Sequence, residues 1–412
     1  MIGALLAVDP LLNPGLDGGD WDWKTLLIIL IKVVGVFTIG LVCTILVIWF
    51  ERKVVAGMHN RFGPNKAGPF GILQTLADGM KLMFKEGFWP DKADKPVFII
   101  APFLTFVPAF LLWSVIPLGG DFTDGKDGTV EWFGKVTRVQ LIDPPIGILV
   151  VLALSGIAVY GVMLAGWSSG SKYPLLGAVR ASAQMISYEA ALGLSLAAVL
   201  LLSGTLSTSG IVAAQDELLD WNIIATGLVP FVVFLIAMTA ELNRPPFDYV
   251  EAEQELVAGF NTEYASFHFA LFYVAEFMNL VSMSAIIVTL FLGGPQPLHI
   301  GDVNIFGWAG PLSGTLWVIV KVLCFLYLYV WIRATLPRPR YDKLMDLGWK
   351  LLIPAAFGWL LVLAALELAR DEDWNIAAVV AASLGVLAVG ALLFTAALAV
   401  ARKNREAHGA AY

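Results

Sequence analysis

Cysteine is nearly missing from these 412 residues, and the two present, Cys43 and Cys324, both fall inside apolar runs. Two thiols so placed cannot build an iron-sulfur or four-ligand zinc site and supply no disulfide framework. Histidine is as scarce: His59, His268, His299 and His408 are scattered and make no ligand cluster. Any redox cofactor is therefore expected in a partner. Charge is sparse too, at 14% of residues against 58% hydrophobic ones, with a mean hydropathy of +0.78. So little charge cannot cover a soluble fold, which makes the chain a polytopic membrane protein. There is no glycine-rich nucleotide fingerprint, no nucleic-acid module and no internal repeat. The first twenty residues, rich in Gly, Pro and Asp, lack the basic segment of a signal peptide, so none is expected.

What is abundant is apolar length. Runs able to cross roughly 30 Å of hydrocarbon lie at about 25–50, 97–117, 145–166, 182–203, 221–241, 266–292, 311–335, 351–369 and 375–400, predicting an all-α fold of about nine transmembrane helices. Arg52, Lys53, Arg61, Lys66, Lys81, Lys85, Lys92 and Lys95 follow the first run, and Arg338, Arg340 and Lys343 follow the seventh. Basic loops stay on the cytoplasmic side, which puts the N-terminus outside and, after nine crossings, the C-terminus inside. Arg402, Lys403 and Arg405, directly after the last run, agree with that parity.

Between the first two runs, GILQTLADGMKLMFKE places Leu73, Leu76, Ala77, Met80, Met83 and Phe84 on one helical face and Gln74, Asp78, Lys81 and Lys85 on the other. The segment is too short and too charged to cross, so it is expected along the cytoplasmic interface. The preceding RFGPNKAGPFG, with three Gly and two Pro, predicts a rigid set of turns. Residues 241–264, ELNRPPFDYVEAEQELVAGFNTEY, hold six carboxylates (Glu241, Asp248, Glu251, Glu253, Glu255, Glu263) against one base, Arg244. Pro245 and Pro246 block a continuous helix there. The acidic stretch falls on the cytoplasmic side by parity, against the usual basic bias, and its aromatic residues are unlike those of a solvated loop. Within the runs, Glu189 and Glu276 are too short to reach water and need a partner or a proton; Lys321 is a candidate partner for either, and Lys32 can snorkel.

Four blocks carry a resemblance: WFERKVVAGMHNRFGPNKAGPFGILQTLADGMKL, GWSSGSKYPLLGAVRASAQMISYE, AELNRPPFDYVEAEQELVAGFNTEY and LYVWIRATLPRPRYDKLMDLGWK. In this order they closely resemble the H subunit of bacterial NADH:quinone oxidoreductase, respiratory complex I, over residues 25–369. The resemblance implies a subunit at the junction of the membrane and peripheral arms, in the bacterial cell membrane. It implies that the cytoplasmic segments help enclose a quinone chamber, with Arg52, Lys53, Phe62, Gln74, Asp78, Lys81, Arg244, Asp248 and Arg333 lining or bracing it. It further implies a line of acids for proton coupling, Glu189, Glu241, Glu251, Glu253, Glu255 and Glu276. Quinone is then the substrate. Flavin mononucleotide and iron-sulfur clusters belong to peripheral partner subunits, and antiporter-like membrane subunits receive the coupling signal. No catalytic, metal or redox group is expected on this chain itself.

The implied division of the chain is an external segment 1–24, a core 25–369 with eight spans, and an extra helix with a short tail at 370–412. The core contains the loop and interfacial helix 51–96 and the acidic loop 241–265. The extra helix departs from the family's usual eight. Other readings are a related subunit of a membrane-bound hydrogenase-type complex, a stand-alone cation/proton antiporter, and a passive anchor. The anchor leaves the buried glutamates unexplained; the antiporter leaves the turn-rich surface after the first span unexplained.

Overall fold

The computed structural model describes residue 11 and residues 22–122, 128–249, 256–300, 303–304 and 312–409. Eight helices among these residues are long and apolar enough to cross a membrane. They are α1 (Trp23–Met58), α3 (Lys95–Leu111, continued by a 3-10 turn to Val115), α4 (Gly147–Ser168), α5 (Lys172–Ser203), α9 (Ser266–Phe291), α10 (Ser313–Thr335), the run from α11 (Tyr341–Leu347) through a π turn (Gly348–Leu352) into α12 (Ile353–Asp371), and α13 (Ile376–Gly409). Shorter helices are α2 (Gln74–Phe84), α6 (Thr208–Ala213), α7 (Asn222–Ala225) and α8 (Val229–Glu241); two short antiparallel pairs, β1–β2 (Thr129–Trp132, Lys135–Arg138) and β3–β4 (His299–Ile300, Val303–Asn304), lie in connections. The fold is an all-α polytopic membrane protein.

The run expected at 221–241 differs from the others. It divides into α7 and the 13-residue α8, about 20 Å long and shorter than the hydrocarbon layer. Gly227 (φ 69°) and Leu228 (φ 30°) turn the backbone left-handed between the two, which no helix can continue through. A carbonyl at the break stays paired inside the protein, since Trp359 Nε1 donates to that of Thr226 at 2.7 Å, and Asn222 Nδ2 ties α7 to α9 through the Leu290 carbonyl at 2.7 Å. Non-helical backbone at such depth persists only when so satisfied. Helix α5, conversely, begins ten residues before its apolar run, at Lys172. Hydropathy locates lipid-facing length, whereas the helix continues into the polar end of the bundle.

Helix α9 is the centre. Of its most apolar window, 83% is buried, against 22% for α1 and none for α13. Apolar burial between helices contributes little where lipid already surrounds them, so close packing and polar contacts must hold the bundle. Gly166 shows the former: a Cβ there would lie 2.3 Å from Ala178 Cβ and 2.4 Å from the Pro174 carbonyl oxygen, so α4 and α5 meet backbone to backbone. Lys321 shows the latter. Its Nζ donates to the carbonyls of Leu292, Gly294 and Gln296 at 2.6, 2.9 and 2.8 Å and lies 4.4 Å from the Trp221 ring centre. The expected pairing with Glu189 or Glu276 is thus replaced by a cap on the C-terminal end of α9, where a cation suits the carbonyls.

Candidate functional site

Consecutive residues on a helix diverge by about 100°, and the last turns of α1 use this to face three ways. Glu51 turns inward and is 5% exposed, Arg52 turns toward α2, and Lys53 Nζ reaches Asn65 Oδ1 at 3.1 Å. Arg52 Nη1 donates to Asp78 Oδ2 at 2.5 Å, and Gln74 Nε2 to Asp78 Oδ1 at 3.0 Å. Partial burial alone pushes the Asp78 carboxyl up. The hydrogen bonds from Arg52 and Gln74 and the positive charges of Arg52 and Lys81 outweigh it, holding the group below its ordinary value.

The turns before α2 are as expected from their glycines and prolines. Gly68 and Gly71 sit at φ 71° and 78°, and Trp49 Nε1 donates to the Phe70 carbonyl at 3.0 Å, fastening the segment to α1. No residue of α2 is buried by the rest of the chain, and its Leu76, Met80 and Met83 are exposed. Phe62, 95% exposed, stands at the rim of a cleft of about 380 Å³ lined by Glu51, Arg52, Val55, Ala56, Arg61, Gly63, Pro64 and Arg333.

Behind this cleft lies an ion cluster centred on the buried Arg244 and Glu51. Arg244 Nη1 is 3.0 Å from Glu51 Oε2, its Nε is 3.0 Å from Glu276 Oε1, and Arg333 pairs with the second oxygen of Glu51. Two cations thus meet two carboxylates, so no net charge is buried. The Arg244 guanidinium also lies 4.1 Å from the Phe277 ring centre. Arg244 is held in place by its loop: α8 ends before the prolines, and Gln184 Nε2 donates to the carbonyls of Ala240 and Phe247 at 2.7 and 2.8 Å, tying both ends of residues 240–247 to α5. Arg338 and Arg180 lie over the rings of Tyr249 and Tyr341.

On the other side of the cluster is a second cavity, about 70 Å³, lined by Glu241, Glu276, Asn243, Asn261, Asn279 and Thr105 among apolar groups. It is polar and roomy enough for ordered water. Glu241 is 4% exposed and close to the Glu189 carboxylate. Behind the cavity's lining residue Phe272 lies Tyr264, 5.0 Å from it between ring centres, whose ring stacks on Phe98 at 3.9 Å and whose hydroxyl donates to the Phe98 carbonyl. Burial pushes the Tyr264 phenol up to about 12, so it stays neutral and keeps donating.

Of the residues singled out in the sequence, Arg52, Gln74, Asp78 and Lys81 gather at the α1–α2 contact, Phe62 and Arg333 at the cleft, and Arg244, Glu276, Glu241 and Glu189 along the line inward. Lys53 turns to the turn segment instead, and Asp248 is half-buried in the loop after α8. Glu251, Glu253 and Glu255 lie outside the described residues. Sequence reasoning missed Glu51, the hub of the cluster. The available signal was an acid directly preceding two bases at the end of an apolar run.

These features define a class: an integral membrane protein whose buried charges join a surface cleft to an internal polar cavity. The profile of the NADH dehydrogenase family matches residues 31–364. The H subunit of NADH-quinone oxidoreductase from Frankia alni is 49% identical over 394 residues, 94% of this chain and 82% of that protein. Its namesake in Frankia casuarinae is 50% identical over 361 residues, 87% of this chain and 75% of that protein. The chain belongs to the family of NADH-quinone oxidoreductase H subunits.

Proposed function

We propose that this chain is the membrane subunit of a proton-translocating NADH:quinone oxidoreductase that helps form the quinone chamber and couples quinone reduction to proton translocation. The observation that carries the reading is the Arg333–Glu51–Arg244–Glu276 cluster. Glu51 and Arg333 line the cleft, while Glu276 lines the internal cavity beside Glu241, so one set of ion pairs borders both spaces.

Reduction of a quinone to its quinol consumes two electrons and two protons. The electrons come from an iron-sulfur centre of a partner subunit, and this chain's contribution is electrostatic. A headgroup that gains charge near the cleft changes the potential at Arg52 and Glu51, and charges in a poorly screened interior respond strongly. Repartitioning the Arg244 contacts between Glu51 and Glu276 would pass that change to Glu276, Glu241 and Glu189, whose altered protonation signals to antiporter-like neighbours. The acidic residues Glu251, Glu253 and Glu255 belong to the same route. The Arg52 end of the bundle faces the cytoplasm, and flavin mononucleotide and iron-sulfur clusters reside in peripheral subunits.

The test is replacement of Glu251, Glu253 and Glu255 together by Gln in the assembled complex. NADH:quinone activity should fall strongly while NADH oxidation by an artificial acceptor in the peripheral arm stays near wild type. Quinone activity near wild type would remove the coupling role. Native purification of the chain without flavin and iron-sulfur partners would remove the assignment itself.

A further inference from the structure

The end of the bundle opposite the Arg52 cleft carries a second polar opening. Lys32 and Arg52 lie on the same helix, and at about 1.5 Å per residue the stretch between them matches the roughly 30 Å of a hydrocarbon layer. Lys32 Nζ donates to Thr137 Oγ1 of β2 at 3.2 Å, and Lys135 Nζ to Thr25 Oγ1 of α1 at 2.6 Å. These bonds hold the β1–β2 hairpin at the depth where lipid headgroups begin. The start of α4 meets the segment before α6 at this end too, through the Ile148 amide and the Leu206 carbonyl at 3.0 Å. Between them Arg138, Asp143, Thr205, Ser207 and Ser209 line a cleft of about 270 Å³.

The polar groups of this cleft leave one edge of a guanidinium open. Asp143 is buried; its Oδ1 accepts from Ser207 Oγ at 2.8 Å, and its Oδ2 from Ser209 Oγ and Arg138 Nη1. The carboxylate is thereby filled and its charge answered. Every hydrogen bond of Arg138 to the described residues runs through Nη1, whose other acceptor is Ser209 Oγ at 3.3 Å. Nε, on the opposite edge, is buried and has no acceptor among those residues. A buried donor left unmade is costly, and the Nε and Nη2 edge is a fork that suits two oxygens of a phosphate. Beside the cleft the surface turns apolar, since Ile142, Ile146 and Leu149 are exposed on either side of its lining residue Pro145.

We propose that this cleft binds the phosphate of a phospholipid in the leaflet on the Lys32 side, held by Arg138, with the acyl chains lying along Ile146 and Leu149. A free phosphate would use the guanidinium fork alone. A lipid uses the fork and the apolar strip together, at the depth where the two kinds of surface have to meet. Lys32 and Lys135, fastened to the same hairpin, add positive charge near the phosphate.

The experiment is single-particle cryo-electron microscopy of the assembled complex, stripped of loosely held lipid in detergent and returned to nanodiscs of phosphatidylglycerol. The expected map has phosphodiester density at the open edge of Arg138, continuous with chains over Ile146 and Leu149. The same complex kept in detergent with inorganic phosphate should show no such density. Arg138→Lys keeps a cation for Asp143 but has no fork, and the ordered headgroup should be lost from it while the hairpin stays in place. Compact density without chains in the phosphate sample would make this a soluble-anion site and overturn the proposal. A side chain of a neighbouring subunit seated on that edge would overturn it as well, as would a headgroup equally ordered in Arg138→Lys. If the variant does not assemble, the wild-type map decides alone: density bearing chains at Arg138 upholds the site, and its absence removes it.

Discussion

Arg244 Nε lies 3.0 Å from Glu276 Oε1, joining the loop after α8 to α9 across the space between the cleft and the internal cavity. Removing the arginine takes a cation from two carboxylates at once, Glu276 and Glu51, of which Glu51 keeps Arg333. Breaking such a buried pair costs about 3–5 kcal/mol. Arg244→Ala should therefore lower both the yield of assembled complex and its quinone activity per assembled unit, read as NADH:quinone rate over flavin content. Arg244→Lys keeps the charge but offers a single point to two acids, and should recover yield more than rate.

The Arg52–Asp78 pair gives a pH prediction with a definite sign. Because the Asp78 carboxyl is held below its ordinary value, the stability it contributes is present above the ordinary carboxylate range and is lost only as pH falls through the lowered value. The α1–α2 contact should persist from pH 8 down to about 4. Hydrogen-exchange protection factors of residues 74–84, referred to the intrinsic rate at each pH, should show this constancy in the wild type and be uniformly lower in Asp78→Asn. Opening of the wild-type contact between pH 6 and 7 would contradict it.

Glu276 and Lys321 should separate coupling from support. Glu276→Asp keeps a titratable group and Glu276→Gln does not, so proton uptake per electron, measured by a pH-gradient dye, should fall more in the Gln variant. Lys321→Met leaves three carbonyls without this donor, each a loss on the order of 1–3 kcal/mol where no other donor replaces it. It should reduce the thermal stability and yield of the complex while the protons moved per electron in what assembles stay near wild type.

Gly71 should tolerate no side chain. Its φ is 78°, and a Cβ there would stand 2.3 Å from the Pro64 carbonyl oxygen, which is backbone and cannot turn aside. Gly71→Ala should shift the cleft wall at Gly63 and Pro64 at a cost of about 1–3 kcal/mol. The measurement is KM for the quinone analogue, expected to rise more than kcat falls.

Helix α13 runs 34 residues from Ile376 to Gly409, about 51 Å and longer than the hydrocarbon. On the orientation expected from the basic loops, N-terminus outside, and with the broken run at 221–241 counted as a crossing, its end should be cytoplasmic. A Cys at position 409, in a variant lacking Cys43 and Cys324, should resist a membrane-impermeant thiol reagent in intact cells and react after permeabilisation. Labelling from outside would reverse the orientation.

Much of this protein is legible in consecutive residues, and for a simple reason: crossing a lipid layer demands an apolar length that leaves its mark along the chain. Eight of the nine expected runs are long helices, the amphipathic period of residues 74–84 is a helix that the chain leaves exposed, and the Gly and Pro of residues 61–71 make the turns they imply. What depends on residues far apart became visible only in three dimensions. Glu51 and Arg244 are 193 positions apart, and no local pattern shows that they meet. Lys321 looked like a partner for a buried acid because its charge was visible and its acceptors, three backbone carbonyls, were not. The division of the run at 221–241 followed the same logic. An apolar window stays apolar whether or not its helix is interrupted, and it is the side chain of Trp359, bonded to the Thr226 carbonyl at the break, that helps make that interruption tolerable in a membrane.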